Sequence, residues 1–220
     1  MAGLSLQGER RSLRDLAYGT LREAIVRAQI APGAAVTEER LATDLGVSRP
    51  VIREAVQRLH SEGLIERSGN GRMFVRPATA EDARAHYAVR VALEQLTVEE
   101  AARRLTPEGV ARLEAALGHM RDARDHAGDA TVAEGGGEFH AILAEIAANP
   151  VNAQLMDMIR ARIDRYRHLS VATTAQRTQQ SVREHEEILE ALKAGDVDAA
   201  KAAMRRHIEA SEESALRALE

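Results

Sequence analysis

Residues 45–63 read LGVSRPVIREAVQRLHSEG, and this stretch decides the fold of the front of the chain. Ser48 is a favoured helix N-cap, Pro50 is tolerated in a first helical turn, and Gly63 is a favoured residue just past a helix end. Apolar residues at helical spacing predict a buried stripe, formed by Val51, Ile52, Ala55, Val56 and Leu59. The opposite face carries Arg49, Arg53, Gln57 and His60. The pattern therefore predicts a helix with an apolar back and a polar, basic front.

Two further helices are predicted before this stretch and a β-hairpin after it. Apolar spacing indicates a helix over about 12–29 and a second over 38–45, which Gly46 closes. The strand-like runs 64–67 and 72–75 flank the turn sequence Ser68-Gly69-Asn70-Gly71. The order of helix, helix, helix and hairpin predicts a winged helix-turn-helix domain over residues 1–77.

The third helix suits the major groove of double-stranded DNA. Arg49 and Arg53 are of the type that reads guanine edges, and Gln57 can read adenine. The hairpin tip, Gly69, Asn70, Gly71 and Arg72, offers close approach and charge to a minor groove or to phosphates. Residues 1–77 carry a formal charge of +3 and residues 78–220 carry −7, within a net −4. The alternative interpretation is a three-helix bundle whose arginine face is only solvated.

The remainder of the chain, residues 78–220, is predicted to be an all-α bundle of six or seven helices. Hydrophobic residues make up 45% of the chain, enough for real cores, and aromatic residues only 2%. The absence of cysteine excludes a disulfide framework, a thiolate metal site and a cysteine nucleophile. No apolar run approaches the ~18 residues that span a bilayer, so a cytoplasmic protein without membrane contact is expected.

Three histidines of this bundle are predicted to lie at similar heights. His185 precedes the break at Gly195 by ten residues and His207 follows it by twelve, so both lie roughly 15–18 Å from the turn. An antiparallel helix hairpin would bring them level, and His140 stands ten residues before Pro150. Three imidazoles on separate helices suit a divalent Zn, Ni, Mn or Fe ion. Chance alignment among the eight histidines is the alternative.

The front motifs resemble the GntR family of bacterial repressors. The resemblance rests on Ala31-Pro32-Gly33, on Glu39-Arg40-Leu41-Ala42, on residues 45–55 and on Glu62-Gly63-Leu64-Ile65. It implies that Arg49 and Arg53 contact operator bases or adjacent phosphates, and that Ser48 and the Gly69–Gly71 wing touch the DNA backbone. One departure is that Pro50 follows Arg49 directly, which removes a threonine hydroxyl that the family commonly has.

The rear motifs resemble the FCD domain of the FadR subfamily. They are Arg90-Val91-Ala92-Leu93-Glu94, Glu138-Phe139-His140, Ala148-Asn149-Pro150, Glu184-His185, Ala194-Gly195-Asp196 and His207-Ile208. The resemblance implies a helical bundle that binds a small effector, usually a carboxylate. In many members an Asp and three His hold a metal, and His140, His185 and His207 fall on the histidine positions.

The position of the family's Asp is Gly136, inside a Gly-Gly-Gly run flanked by Glu134 and Glu138. Three alternatives follow for the metal. It is held by the three histidines together with water or the effector, it is bound only weakly, or it is absent.

Arg90 resembles the subfamily's helix arginine and is the first candidate to clamp an effector carboxylate. The alternative for Arg90 is a surface ion pair with Glu94, four residues further along the helix. Arg160 and Arg165, on the helix expected to face His140, are further candidates.

The sequence thus predicts a bacterial transcriptional regulator and not an enzyme. We expect a homodimer on an inverted-repeat operator, because one winged helix reads only a half-site. A small organic acid bound in the rear bundle is expected to relieve repression. Two alternatives stay open: a sensor for which the metal itself is the effector, and a metalloenzyme built on the three histidines.

Overall fold

The computed structural model describes residues 12–126, 129–171 and 175–219. It divides into two compact units at the Pro77–Ala78 bond. In the first unit the elements are α1 (Leu13–Val26), β1 (Ala35–Val36), α2 (Glu38–Leu45), α3 (Arg49–Ser61), β2 (Ile65–Arg67) and β3 (Met73–Val75). The predicted winged helix-turn-helix is therefore confirmed. Helix α1 ends earlier than predicted, and Ala28 just beyond it has a positive φ of 54°.

The wing contains one strand more than the sequence predicted. Strand β3 lies between β1 and β2, and both pairings are antiparallel. Strand β1 has only two residues, with Ala35 opposite Phe74. A two-residue strand is too short to show an alternating pattern, so the sequence holds no signal for it.

The helix-turn-helix forms where the sequence predicted it. Thr37 caps α2 by accepting a hydrogen bond from the Arg40 amide, and Gly46 ends α2 in the left-handed region with φ of 65°. Helix α3 packs on α1 and α2 through a fully buried stripe of Ile52, Ala55, Val56 and Leu59. Val51, also predicted to be buried, is only half-buried.

The second unit is all-α in its described part. Its six helices are α4 (Ala80–Arg104), α5 (Pro107–His126), α6 (Asp129–Ala147), α7 (Pro150–Val171), α8 (Ala175–Lys193) and α9 (Val197–Leu219). Helix α4 packs on α6, α7 and α9, while α8 and α9 form the predicted antiparallel hairpin around Gly195. Its core is mainly aliphatic, with Tyr87 and Phe139 as the largest fully buried side chains. Along the described residues, no helix combines the length and apolar character needed to cross a membrane.

Candidate DNA-binding face and three-histidine centre

The polar face of α3 is exposed as predicted. Arg49, Arg53, Gln57 and His60 all face solvent, opposite the buried stripe of the same helix. Ser48 takes the N-cap position with an extended backbone, but its side chain makes no capping hydrogen bond. The Ser48 hydroxyl is therefore not used to satisfy the helix end. This face has the shape and chemistry of a recognition helix.

Glu38 at the start of α2 holds one of these arginines. Its carboxylate accepts a hydrogen bond from Arg53 Nε at 3.2 Å and lies 3.9 Å from an Arg67 guanidinium nitrogen. The Glu38 side chain is 15% exposed, whereas that of Arg53 is 55% exposed. The pair fixes the orientation of Arg53 without burying it. Sequence reasoning missed this role, because a glutamate at a helix start is already explained by the helix dipole.

The wing ends in a tight, exposed turn. The Ser68 amide donates to the Arg72 carbonyl at 2.8 Å, and the Gly71 amide donates to the Ser68 carbonyl at 2.8 Å. Gly71 has φ of 81°, a conformation that favours glycine. A cleft of about 550 Å³ lies between this turn and the first residue of α3, and its walls include Arg49, Asn70 and Arg72. Of the predicted DNA-contacting residues, Arg49 of the helix and Asn70, Gly71 and Arg72 of the wing therefore line one concave surface.

The three predicted histidines meet in the core of the second unit. His140 lies on α6, His185 on α8 and His207 on α9, and one ring nitrogen from each lies within 4.8 Å of the others. The Nε2 atoms of His140 and His207 are 3.3 Å apart. The packing of three helices, all predicted from sequence, thus produces the cluster.

Each of the three rings is oriented by an acceptor at its other nitrogen. His185 Nδ1 donates to the Ser181 carbonyl at 2.7 Å, His207 Nδ1 lies 2.7 Å from Glu184, and His140 Nδ1 lies 3.0 Å from Glu94. A carbonyl only accepts hydrogen bonds, so His185 Nδ1 must carry the ring proton. In the neutral ring the lone pair is therefore on Nε2, on the side away from Ser181. That Nε2 atom is buried and has no hydrogen-bond partner among the described residues. Such second partners typically orient metal-binding histidines.

Burial dominates the electrostatics of the cluster. It lowers the pKa of His140 and lowers the pKa values of His185 and His207 well below their ordinary value. Burial alone would raise the pKa of Glu94, but His140 and Arg90 outweigh it and lower that pKa to about 2. Burial therefore disfavours the charged form of the three imidazoles, whereas His140 and Arg90 favour the ionised form of Glu94.

Arg90 lies inside the bundle, beside the histidines. Its side chain is 4% exposed; its Nε lies 3.4 Å from Glu94, and its Nη2 donates to His140 Nε2 at 3.2 Å. The ion pair with Glu94, the alternative to the effector clamp, is therefore present, but it is buried in the bundle and does not lie on the surface as that alternative predicted. Arg90 Nη1 remains buried without a hydrogen-bond partner among the described residues. Arg90 thus retains one donor with which to bind a ligand.

Gly136 lies at the edge of the cluster. A Cβ placed on it would be 3.6 Å from His185 Nε2 and 3.3 Å from Arg167 Nη2. Arg167 was not singled out from the sequence, which carries no signal for its position. Glu138 is exposed, and its carboxylate lies 3.1 Å from Nδ1 of His119, which is not one of the three clustered histidines. The side chain of Glu134 lies outside the described residues.

The two further arginine candidates have different surroundings. Arg160 is largely exposed and pairs with Asp157 at 3.0 Å, and it also lines a small cavity of about 30 Å³ that reaches Glu94. Arg165 is 4% exposed, and its burial lowers its pKa. Asn149 caps α7, since its side-chain oxygen accepts from the amides of Val151 and Asn152 at 3.1 and 3.0 Å.

The donor set fits a divalent transition metal. Two histidine nitrogens bound tetrahedrally to one zinc at about 2.0–2.1 Å lie roughly 3.3–3.4 Å apart. The Nε2 atoms of His140 and His207 have this separation, at 3.3 Å. The buried, unpartnered His185 Nε2 is a third donor. His140, His185 and His207 are therefore the residues that would hold such an ion.

Comparison with known proteins agrees with both units. Residues 13–75 match the family of bacterial regulatory proteins of the gntR type, and residues 85–210 match the FCD domain. An uncharacterised HTH-type regulator of Streptomyces ambofaciens is 31% identical over 209 residues, covering 91% of this chain and 84% of the relative. The transcriptional repressor RspR of Escherichia coli is 29% identical over 197 residues, covering 90% and 86%.

A solved structure gives the same result for the fold. A GntR regulator structure from Rhodococcus sp. RHA1 superposes with a TM-score of 0.75 at 26% identity, covering 93% of this chain and 97% of that one. The chain is a member of the GntR family of bacterial regulatory proteins, with an FCD domain after its winged helix-turn-helix, and is a transcriptional regulator rather than an enzyme.

Proposed function

We propose that this regulator is a dimeric repressor that binds an inverted-repeat operator and is released by a small organic acid bound at the three-histidine centre. His140, His185 and His207 hold a divalent transition metal there, and Arg90 binds the acid. The observation that carries the proposal is that the Nε2 atoms of the three histidines converge, while the Nδ1 atom of each ring already has an oxygen partner in the protein. Because its DNA target lies in the bacterial cytoplasm, the protein acts there.

The exposed face of α3 supports the DNA half of the proposal. Arg49 and Arg53 reach the major groove and read guanine, and Gln57 reads adenine. Ser48 has a free hydroxyl for a phosphate, and the wing tip contributes Gly69, Asn70, Gly71 and Arg72 to the backbone or minor groove. The shared cleft between Arg49 and Arg72 supports their action on one stretch of duplex.

The chemistry of the centre supports an anionic effector. When bound, a divalent ion supplies a Lewis-acidic site that a carboxylate oxygen can complete. Arg90 Nη1 is a buried cationic donor without a partner among the described side chains. A planar guanidinium matches a carboxylate, and an unpaired buried donor costs about 1–3 kcal/mol until a ligand satisfies it. Arg160 and Arg165 remain weaker candidates for the same ligand.

An apolar surface on α4 and α7 supports the homodimer. Val89 and Leu96 of α4 are 49% and 40% exposed. On α7, Val151, Leu155 and Met158 are 63%, 45% and 66% exposed and recur at helical spacing. The two helices pack against each other. Large exposed apolar side chains on adjacent helices are typical of an interface, and a twofold dimer buries the same surface on both copies.

Effector control then requires two arrangements of the dimer with different operator affinities. A ligand shifts the balance only by its differential affinity for the two arrangements. The centre joins α4, α6, α8 and α9, because Glu94, His140, His185 and His207 come from these four helices. Binding there changes the packing of several helices at once.

The test is operator selection from a random duplex library, followed by titration of the complex. The expected result is an inverted repeat whose complex dissociates when metal-loaded protein receives a small mono- or dicarboxylate. Response to metal without any organic acid would instead establish the metal sensor. Selection of no preferred sequence would overturn the DNA-binding assignment, and a complex indifferent to both ligands would overturn effector control at this centre.

A further inference from the structure

Two neighbouring glutamates begin α2, and only one of their carboxylates has a partner among the described residues. The Glu38 carboxylate lies against Arg53 and Arg67, and its side chain is 15% exposed. Glu39 is exposed, and within the described ranges its carboxylate makes neither a hydrogen bond nor an ion pair. The helix dipole favours negative charge in this first turn, and Glu38 already supplies it. No contact of the Glu39 carboxylate in the described chain therefore accounts for a glutamate at this position.

Glu39 lines the cleft of about 550 Å³ between the wing and α3, together with Arg49 and Arg72. The side chains of these two arginines are exposed, and they too have no ion-pair partner in the part of the chain that the structure describes. A free carboxylate and two free guanidinium groups thus face one cleft without pairing with each other. Arginines are expected there, because phosphates and guanine edges accept hydrogen bonds. A carboxylate is not expected there, because phosphates repel it.

The base edges of the major groove indicate which partner such a carboxylate has. Guanine and thymine present acceptors and no donor, and adenine presents its N6 amino group beside the N7 acceptor. Cytosine presents its N4 amino group and no acceptor of its own. Cytosine is therefore the one base whose edge attracts a carboxylate without also repelling it.

We propose that Glu39 reads a cytosine in each operator half-site, its carboxylate accepting a hydrogen bond from the cytosine N4 amino group while Arg49 reads a guanine from the same cleft. Helix α2 then determines sequence preference together with α3. On DNA that lacks this cytosine, the carboxylate lies against acceptors and phosphates, so Glu39 also disfavours other sequences. The proposal rests on the DNA-binding half of the function proposed above.

The experiment selects duplexes from a random library with the full-length wild type and with Glu39→Ala, and then measures affinities by fluorescence anisotropy. The wild type is expected to select cytosine at one position of each half-site. That cytosine is next replaced by 2-pyrimidinone, which lacks only the N4 amino group and leaves the opposite guanine in place. The replacement should weaken wild-type binding by about fivefold or more and leave the binding of Glu39→Ala nearly unchanged.

Two further variants separate base reading from net charge and from folding. Asp44→Ala removes an exposed negative charge from the other end of α2, where Asp44 pairs with Arg40 outside the cleft, and should retain the full cytosine preference. Glu39→Gln keeps the side-chain length and adds an amide donor for adenine N7, while its amide oxygen accepts from N6. This variant is expected to accept adenine at the same position, a new preference that a misfolded protein cannot produce.

The failures of the two proposals are distinguishable. A cytosine preference that survives in Glu39→Ala, or a wild-type half-site without such a cytosine, would overturn reading by Glu39 and leave DNA binding by α3 and the wing standing. An equal loss of the preference in Asp44→Ala would do the same, and so would continued rejection of adenine by Glu39→Gln. Selection of no preferred sequence by the wild type would overturn both proposals.

Discussion

The Nε2 atoms of His140 and His207 lie 3.3 Å apart, although 67 positions separate the two residues in the chain. Their Nδ1 atoms lie within hydrogen-bonding distance of Glu94 and Glu184, which directs the Nε2 lone pairs at each other. Arg90 Nη2 also donates to His140 Nε2 at 3.2 Å, so a cationic donor lies beside this pair of nitrogen atoms. The fold therefore holds in place the three histidines that we propose as the ligands of a metal.

Substitution of His185 by alanine is expected to abolish stoichiometric metal binding. The wild type should bind about one equivalent of zinc, nickel or manganese and gain roughly 2.7 kcal/mol of stability at a free concentration 100 times the Kd. The measurement is elemental analysis with a thermal melt. His119→Ala is the matched control, because His119 is 66% exposed and pairs only with Glu138 among the described contacts. Equal metal content in both variants would contradict the assignment.

Removal of the Arg49 side chain is expected to weaken operator binding selectively. A bidentate arginine–guanine contact contributes about 1–3 kcal/mol, so Arg49→Ala should lose roughly 5- to 150-fold in operator affinity. Binding to unrelated duplex should change less. Fluorescence anisotropy with both duplexes measures this difference, and Arg27→Ala, an exposed arginine paired with Glu23, serves as control. Retained discrimination in Arg49→Ala would show that Arg49 does not read bases.

A charge on the apolar surface of α7 is expected to produce a monomer. Met158→Glu places a carboxylate on a side chain that is 66% exposed in the single chain, so the monomer should fold normally. In the dimer the same charge would be buried without a partner, which costs several kcal/mol. Light scattering after size exclusion measures the mass. Leu13→Glu, at a similarly exposed leucine of the first unit, should remain dimeric. A dimeric Met158→Glu would place the interface elsewhere.

Two glycine substitutions are expected to change stability in opposite directions. Gly195 joins α8 and α9 with φ of 71°, and nothing lies within 4 Å of a Cβ there, so Gly195→Ala acts through backbone strain alone. The expected loss is about 1–2 kcal/mol in urea unfolding. Gly118 lies inside α5 with the same free space, and Gly118→Ala should gain roughly 0.5–1 kcal/mol. Changes of equal sign would contradict the role of φ.

Local signals in the sequence were enough to predict the helices, the hairpin strands and the three histidines of the centre. Gly46, Ser48 and Gly63 mark the ends of α2 and α3, and the structure has both helices within a residue of the predicted bounds. The positions of His185 and His207 about Gly195 predicted that they lie level, and their ring centroids are 4.3 Å apart. Such predictions succeed because caps, periodicity and rise per residue depend on neighbours only a few positions away.

Contacts between distant segments were decided by tertiary packing alone. The sequence did not indicate that Glu38 holds Arg53, that Glu184 orients His207, or that Arg167 lies beside Gly136. Strand β1 likewise exists only because β3 is there to pair with it. These relations depend on the angles and heights at which helices and strands pack, which no local pattern encodes. The sequence by itself therefore determined the family, the helices and the identity of the three clustered histidines. Packing determined which charged side chains surround those histidines.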